Sequence, residues 1–167
     1  TLASVVVKAL AARAETLAVA ESCTGGQIAS ALVAVPGASA ALLEGVVCYS
    51  DRAKIDRLGV PEHLLQDHGA VSAEVACAMA RGAHATSRAT WALAVTGIAG
   101  PSGGSEAKPI GTVWLALAGP SGVCYTRQQF AGDRATNRQR ATHTALDILR
   151  RMLLGVAHPW EMKREHG

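Results

Sequence analysis

Aromatic side chains are scarce in this chain, with one phenylalanine, two tyrosines and three tryptophans among 167 residues. Its interior must therefore be filled by Ala, Val, Leu and Ile, whose small volumes let helices pack closely on a sheet. Charge is thin as well, at 17% of residues against 49% hydrophobic, which excludes a disordered chain and places much of the backbone in buried elements. No apolar stretch approaches the ~20 residues of a membrane span, and no charged start with a long apolar run and a small-residue cleavage site marks a secretion signal. A compact, single-domain cytoplasmic protein without a membrane partner is expected.

Other absences narrow the chemistry. The sixteen lysines and arginines never form a run longer than Arg150-Arg151, so a net charge of +3 does not point to a nucleic-acid partner. Cys23, Cys48, Cys77 and Cys124 are widely separated, show no CxxC or other metal-ligand spacing, and read as reduced thiols. His63, His68, His84, His143, His158 and His166 all fall in expected helices or the tail, so a Ser-His-Asp arrangement has no imidazole to use.

The apolar pattern that is present reads as alternating helices and strands. Ser4 to Glu15 has helical spacing, and Leu17 to Ala20 is a short buried strand. Gln27 to Val35 reads as a helix stopped by Pro36-Gly37, and Leu42 to Tyr49 as a strand. Ser50 or Asp51 caps a helix through Leu58 that Gly59 closes. Pro61 opens a short helix to about Gly69, and Ser72 with Glu74 opens a longer one to about His84. Trp91 to Val95 is a buried strand, followed by a glycine- and proline-rich loop from Thr96 to Gly111. Thr112 to Ala118 and Val123 to Phe130 read as an antiparallel hairpin across Gly119-Pro120-Ser121-Gly122. A helix from about Asp133 to Leu154, stopped by Gly155, completes the domain. This order implies an α/β fold with a mixed sheet and helices on both faces, spanning residues 1–155, with 156–167 as a polar tail that frays.

Two segments carry candidate chemistry. Glu21-Ser22-Cys23-Thr24-Gly25-Gly26 lies on a strand-to-helix turn, where free helix amides can stabilise an oxyanion. Ser22 and Thr24 there are either nucleophiles or helix caps, and Cys23 is a third possible attacker that lacks a histidine partner. A lysine can take the missing imidazole's place, because burial lowers an ammonium's pKa. Of the four lysines, Lys54 and Lys108 lie beside the polar segments; Lys54 is either that base or a solvated helix residue paired with Asp51 or Asp56. The loop after Thr96 fits neither a Walker motif nor the GxGxxG fingerprint, so it offers backbone for close approach to a ligand. Arg134 and Arg138, four apart on one helix, either grip a phosphate or pair with Asp133.

Taken together, Ala20 through Gly26, Tyr49-Ser50-Asp51-Arg52-Ala53-Lys54 with Leu58-Gly59-Val60, Gly69-Ala70-Val71-Ser72, and Thr96-Gly97-Ile98-Ala99-Gly100-Pro101 through Lys108-Pro109-Ile110-Gly111-Thr112-Val113 resemble the CinA C-terminal domain family. Four motifs in one order, from the first helix to Leu154, are far more specific than any one alone. The resemblance implies a three-layer α/β/α sandwich, a homodimer, and metal- and cofactor-free hydrolysis of nicotinamide mononucleotide to nicotinate mononucleotide and ammonia. By the same resemblance Ser22 is the nucleophile and Lys54 the base, with Tyr49 and Thr96 lining the pocket. Thr24, Gly25 and Gly26 would supply oxyanion amides, and Gly97, Gly100, Gly103, Gly104, Lys108, Arg134 and Arg138 would contact the nucleotide substrate. Asp51-Arg52 departs from the family's more usual neutral-then-acidic pair. The longer CinA proteins carry a further N-terminal domain, so this chain is expected to be either a stand-alone amidase or a fragment. The rivals are a non-catalytic nucleotide-binding module and an amidase of a different small amide.

Overall fold

The computed structural model describes residues 1–166. The chain runs α1 (Leu2–Ala12), β1 (Leu17–Glu21), α2 (Gln27–Val33), a 3-10 turn (Ala38–Ala40), β2 (Leu42–Val47), α3 (Asp51–Leu58), α4 (Glu62–His68), α5 (Ala73–Ser87), β3 (Trp91–Gly97), β4 (Thr112–Gly119), β5 (Gly122–Gln129), α6 (Arg134–Leu154) and β6 (Lys163–Arg164). The strands form one mixed sheet in the order β2-β1-β3-β4-β5-β6. Strand β1 lies parallel to both β2 and β3, whereas β4, β5 and β6 each run antiparallel to the strand before. Helices cover both faces, giving the expected single-domain α/β sandwich.

The buried strands alternate large and small residues, and that alternation sets the layers. On one face Val19, Leu93, Leu115 and Leu117 meet Val6 and Leu10 of α1, Ile28 and Leu32 of α2, and Leu146 and Leu149 of α6. On the other, Ala18, Ala20, Ala92, Ala94, Ala116 and Ala118 present an almost flat surface to Val75, Met79 and Ala83 of α5. With mostly methyl groups beneath it, α5 lies close to the sheet, and α3 and α4 pack against α5.

Local signals place most boundaries. Ser50, Ser72 and Asp133 each cap a helix by accepting from the amide three residues on, at 3.1, 3.3 and 2.8 Å. Gly59 and Gly155 close α3 and α6 in the left-handed conformation. Pro61 stands before α4 as its cap rather than inside it, and α5 continues three residues past His84. The expected fraying of the tail is corrected: Trp160 and Met162 pack against the core, and Lys163–Arg164 pair with Cys124 and Tyr125. Gly167, the last residue of that segment, lies outside the described residues.

Gly82 of α5 sits against the end of α3: a Cβ there would lie 1.9 Å from the Leu58 carbonyl oxygen, which is backbone and cannot swing aside. Gly82→Ala should therefore push α3 outward. The expected loss is about 1–3 kcal/mol, read as a lower midpoint in urea unfolding.

Candidate active site

The carboxyl ends of parallel strands are where open α/β sheets bind ligands, and the two motifs converge there. Ser22 follows β1, with its amide bonded to the Val95 carbonyl of β3 at 3.0 Å. The chain then turns at once, Gly25 donating to the Ser22 carbonyl at 3.1 Å. Gly25 and Gly26 hold φ of +60° and +93°, a region that side chains strain.

Lys54, on the first turns of α3, is turned inward rather than toward solvent and is 1% exposed. Its Nζ lies 3.2 Å from Ser22 Oγ, 3.0 Å from the Cys48 carbonyl and 3.2 Å from the Tyr49 carbonyl. The alternative pairing with Asp56 is not made, because Asp56 accepts from Arg52 at 2.6 Å. Loss of hydration holds the Lys54 pKa below the ordinary lysine value, with Asp51 pulling weakly the other way.

Two buried contacts fix the turn that carries Ser22, and neither is evident in the sequence pattern. Glu21, wholly buried on the opposite face of β1, accepts from the amides of Gly26 and Ile28 at 3.1 Å each and Ala29 at 2.9 Å. Arg138 of α6 donates Nε to the Cys23 carbonyl at 3.1 Å and Nη2 to the Thr24 carbonyl at 2.9 Å. The start of α2 is therefore occupied by a carboxylate of the chain itself, and Gly26 is not free to hold an oxyanion. Gly25 is likewise engaged, which leaves the Cys23 and Thr24 amides as the ones in the turn that no carbonyl or carboxylate takes up.

The other expected site residues divide. Thr96, in β3 beside Ser22, is 1% exposed and donates to the Ala70 carbonyl at 2.8 Å. Tyr49 contributes its carbonyl to Lys54, while its ring is exposed and its hydroxyl accepts from Arg134 Nη2 at 2.9 Å. Arg134 also donates Nη1 to the Gly100 carbonyl at 2.8 Å, so the two arginines bind backbone and tyrosine rather than Asp133. Thr24 is wholly buried with a hydroxyl that has no hydrogen-bond partner and no base beside it. Burial pushes the Cys23 thiol up to about 11, so it stays protonated at neutral pH.

The glycine loop is tight for reasons of its own packing. A Cβ at Gly97 would crowd Val113 and Cys23, and at Gly100 or Gly104 it would meet Ile110. Gly103 has more room, its nearest neighbour being Ile98 at 3.8 Å. Lys108 is strapped to the His68 carbonyl and lies away from Ser22. Among the described residues no three His, Cys, Asp or Glu side chains converge as a metal site, and no helix is long and apolar enough to cross a membrane.

An open mixed α/β/α sheet with a buried serine–lysine contact at the end of its first strand is a defined class of domain. The CinA C-terminal domain profile matches residues 1–153, and the chain belongs to that family. A CinA-like protein of Anaeromyxobacter sp. (strain K) is 54% identical over 149 residues, covering 89% of this chain and 36% of that protein. One from Geotalea daltonii is 58% identical over 139 residues, covering 83% and 34%. The chain thus spans about a third of the length of the curated relatives it matches. Among solved structures, the competence/damage inducible protein CihA of Agrobacterium tumefaciens superposes with a TM-score of 0.87 at 43% identity, covering 89% of this chain and 91% of that one. The competence damage-inducible protein A (ComA) of Klebsiella pneumoniae subsp. pneumoniae MGH 78578 gives 0.89 at 40% identity, covering 96% and 97%.

The lowered Lys54 pKa links stability to pH. Below the ordinary lysine value the unfolded chain binds a proton that the folded chain holds less tightly, so folding stability rises with pH across that window. Wild type should gain stability relative to Lys54→Met as pH goes from 7 to 10, measured by urea unfolding at each pH.

Proposed function

We propose that the domain is a serine–lysine amidohydrolase whose substrate is nicotinamide mononucleotide, releasing nicotinate mononucleotide and ammonia. The carrying observation is the set of partners around Lys54 Nζ: two carbonyls and one hydroxyl. A neutral amine has two N–H donors and one lone pair. As an ammonium Lys54 donates to all three; once it is neutral, the carbonyls of Cys48 and Tyr49 keep its two donors and its lone pair faces the Ser22 O–H. No carboxylate is among these partners to keep the amine cationic, and burial works the same way.

In the first step Ser22 Oγ attacks the carboxamide carbon as its proton passes to Lys54. The Cys23 and Thr24 amides face the developing oxyanion, replacing the expected set of Thr24 to Gly26. The protonated lysine then gives its proton to the departing amine, ammonia leaves, and water attacks the acyl-enzyme with Lys54 again as base. Arg134, held between the Tyr49 hydroxyl and the Gly100 carbonyl, would meet the substrate phosphate. Arg138, committed to two carbonyls, acts on the turn instead.

The test is ammonia release from nicotinamide mononucleotide by the full chain without added metal. Wild type should turn over, and Ser22→Ala and Lys54→Met should each lose at least 1,000-fold in kcat, the scale seen when one member of a nucleophile–base pair is removed. A folded wild type that releases no ammonia would sink this reading.

The same proposal includes a homodimer. Strand β2 is a sheet edge, and Val33, Leu43 and Val47 are 66%, 52% and 49% exposed on and beside it, an apolar stripe that a second copy would cover. Light scattering should give twice the chain mass for wild type and the single mass for Leu43→Lys/Val47→Lys; a monomeric wild type would refute the assignment.

A further inference from the structure

Half of the chain's six aromatic side chains stand together far from the Ser22–Lys54 contact. Trp114, Tyr125 and Trp160 line a cavity of about 300 Å³ with Thr126, Arg127, Glu161 and Lys163. A second cavity of about 240 Å³, lined by His68, Ser72, Lys108 and others, adjoins it and shares Trp114 and Arg127 as walls. Each ring is only partly buried: Trp114 and Tyr125 rest on the alanine face under α5 and Trp160 on the opposite core, and all three still line the cavity.

The sheet register places the group. Thr96 pairs with Trp114, and Trp114 with Arg127, so Thr96, Trp114 and Arg127 form one row across β3, β4 and β5 on the α5 face. Strands are spaced about 4.8 Å, which puts Arg127 three strands from Ser22, roughly 14 Å away. Between them stands the segment His68 to Ser72, anchored by Thr96 to the Ala70 carbonyl and by Lys108 to the His68 carbonyl. That segment lines the second cavity through His68 and Ser72, and Ala70 ties it to Thr96 beside Ser22.

The chemistry of the lining is two-part. Trp114 and Tyr125 have ring centroids 6.2 Å apart at 48°, a tilted pair that leaves ring faces for a flat guest. Beside them Arg127 makes only a 3.5 Å approach to the Ala107 carbonyl, and among the described residues neither Arg127 nor Lys163 is in an ion pair. An uncommitted guanidinium next to aromatic rings suits an anionic group carried on a planar heterocycle.

We infer that this two-lobed cavity is a second ligand site, for a heteroaromatic phosphate of nucleoside monophosphate size, with the ring against Trp114, Tyr125 and Trp160 and the phosphate on Arg127. The proposal is independent of the amidase reading, since it uses none of that reading's catalytic groups.

Calorimetric titration of the full chain with AMP, adenosine and inorganic phosphate tests it. AMP should bind at least tenfold more tightly than either part alone. Trp114→Leu and Arg127→Gln should each weaken it tenfold or more, and Ser22→Ala should leave it within twofold. Arg127 is exposed, so Arg127→Gln serves even if the tryptophan variant misfolds. No AMP binding, binding that Arg127→Gln leaves unchanged, binding lost in Ser22→Ala, or phosphate alone binding as tightly as AMP would each overturn the assignment. A chain that binds AMP in this pattern but releases no ammonia would keep the second site and remove the amidase.

Discussion

A primary amine held out of water beside a hydroxyl is costly to bury as an ammonium, and the fold surrounds this one with two carbonyls and a hydroxyl rather than a carboxylate. A carboxylate partner would relieve the desolvation and at the same time lock Lys54 as an ammonium. Its partners are instead the Cys48 and Tyr49 carbonyls and Ser22. Those carbonyls are available because β2 ends at Val47: the Cys48 amide still donates to the Glu21 carbonyl of β1 at 2.8 Å, but the Cys48 and Tyr49 carbonyls turn to Lys54. Ser50 then starts α3 so that Lys54 points back over them. Gly82, with no side chain, lets α5 press α3 into that position.

The turn carrying Ser22 is held from both sides by charges used structurally. Glu21 takes three amides at the start of α2, which suits a carboxylate at a helix N-terminus. Arg138 takes the two carbonyls that the turn exposes outward. With the start of α2 filled by Glu21, the Cys23 and Thr24 amides are the ones in the turn that no carbonyl or carboxylate takes up. The carboxylate that stabilises the turn thereby narrows where each part of a substrate can lie.

Layering and most helix ends were legible because they depend on local chemistry: alternating Leu and Ala in the strands, Ser50, Ser72 and Asp133 as caps, Gly59 and Gly155 as stops. The serine–lysine contact was legible through the motif resemblance and the scarcity of lysine, although spacing alone favoured a solvated Lys54 paired with Asp51 or Asp56. What escaped the sequence is long-range. Arg138 reaches a turn 114 residues away, and the pairing of Lys163–Arg164 with β5 involves too few residues to show a period. Glu21 left a trace, a charge directly ending an apolar strand, but not the direction of its side chain.

The sheet divides labour along its width. Its parallel half, β2, β1 and β3, ends in loops that bring Ser22, Lys54 and Thr96 together, as parallel sheets do at their carboxyl edge. Its antiparallel half, β4 to β6, contributes no group to that contact and could have been covered by aliphatic side chains as the other face is. On it and on the segment before β6 stand three of the six aromatic residues, and among the described residues the cavity's Arg127 and Lys163 are in no ion pair. Those rings are half-buried, each resting on the core and also lining the cavity, and cations without ion-pair partners beside them add little stability. The same continuous row of side chains, from Ser22 across Thr96 to Trp114 and Arg127, joins the two halves through the His68 to Ser72 wall. A ligand that moved that wall would act directly on Thr96, which holds the Ala70 carbonyl and lies beside Ser22.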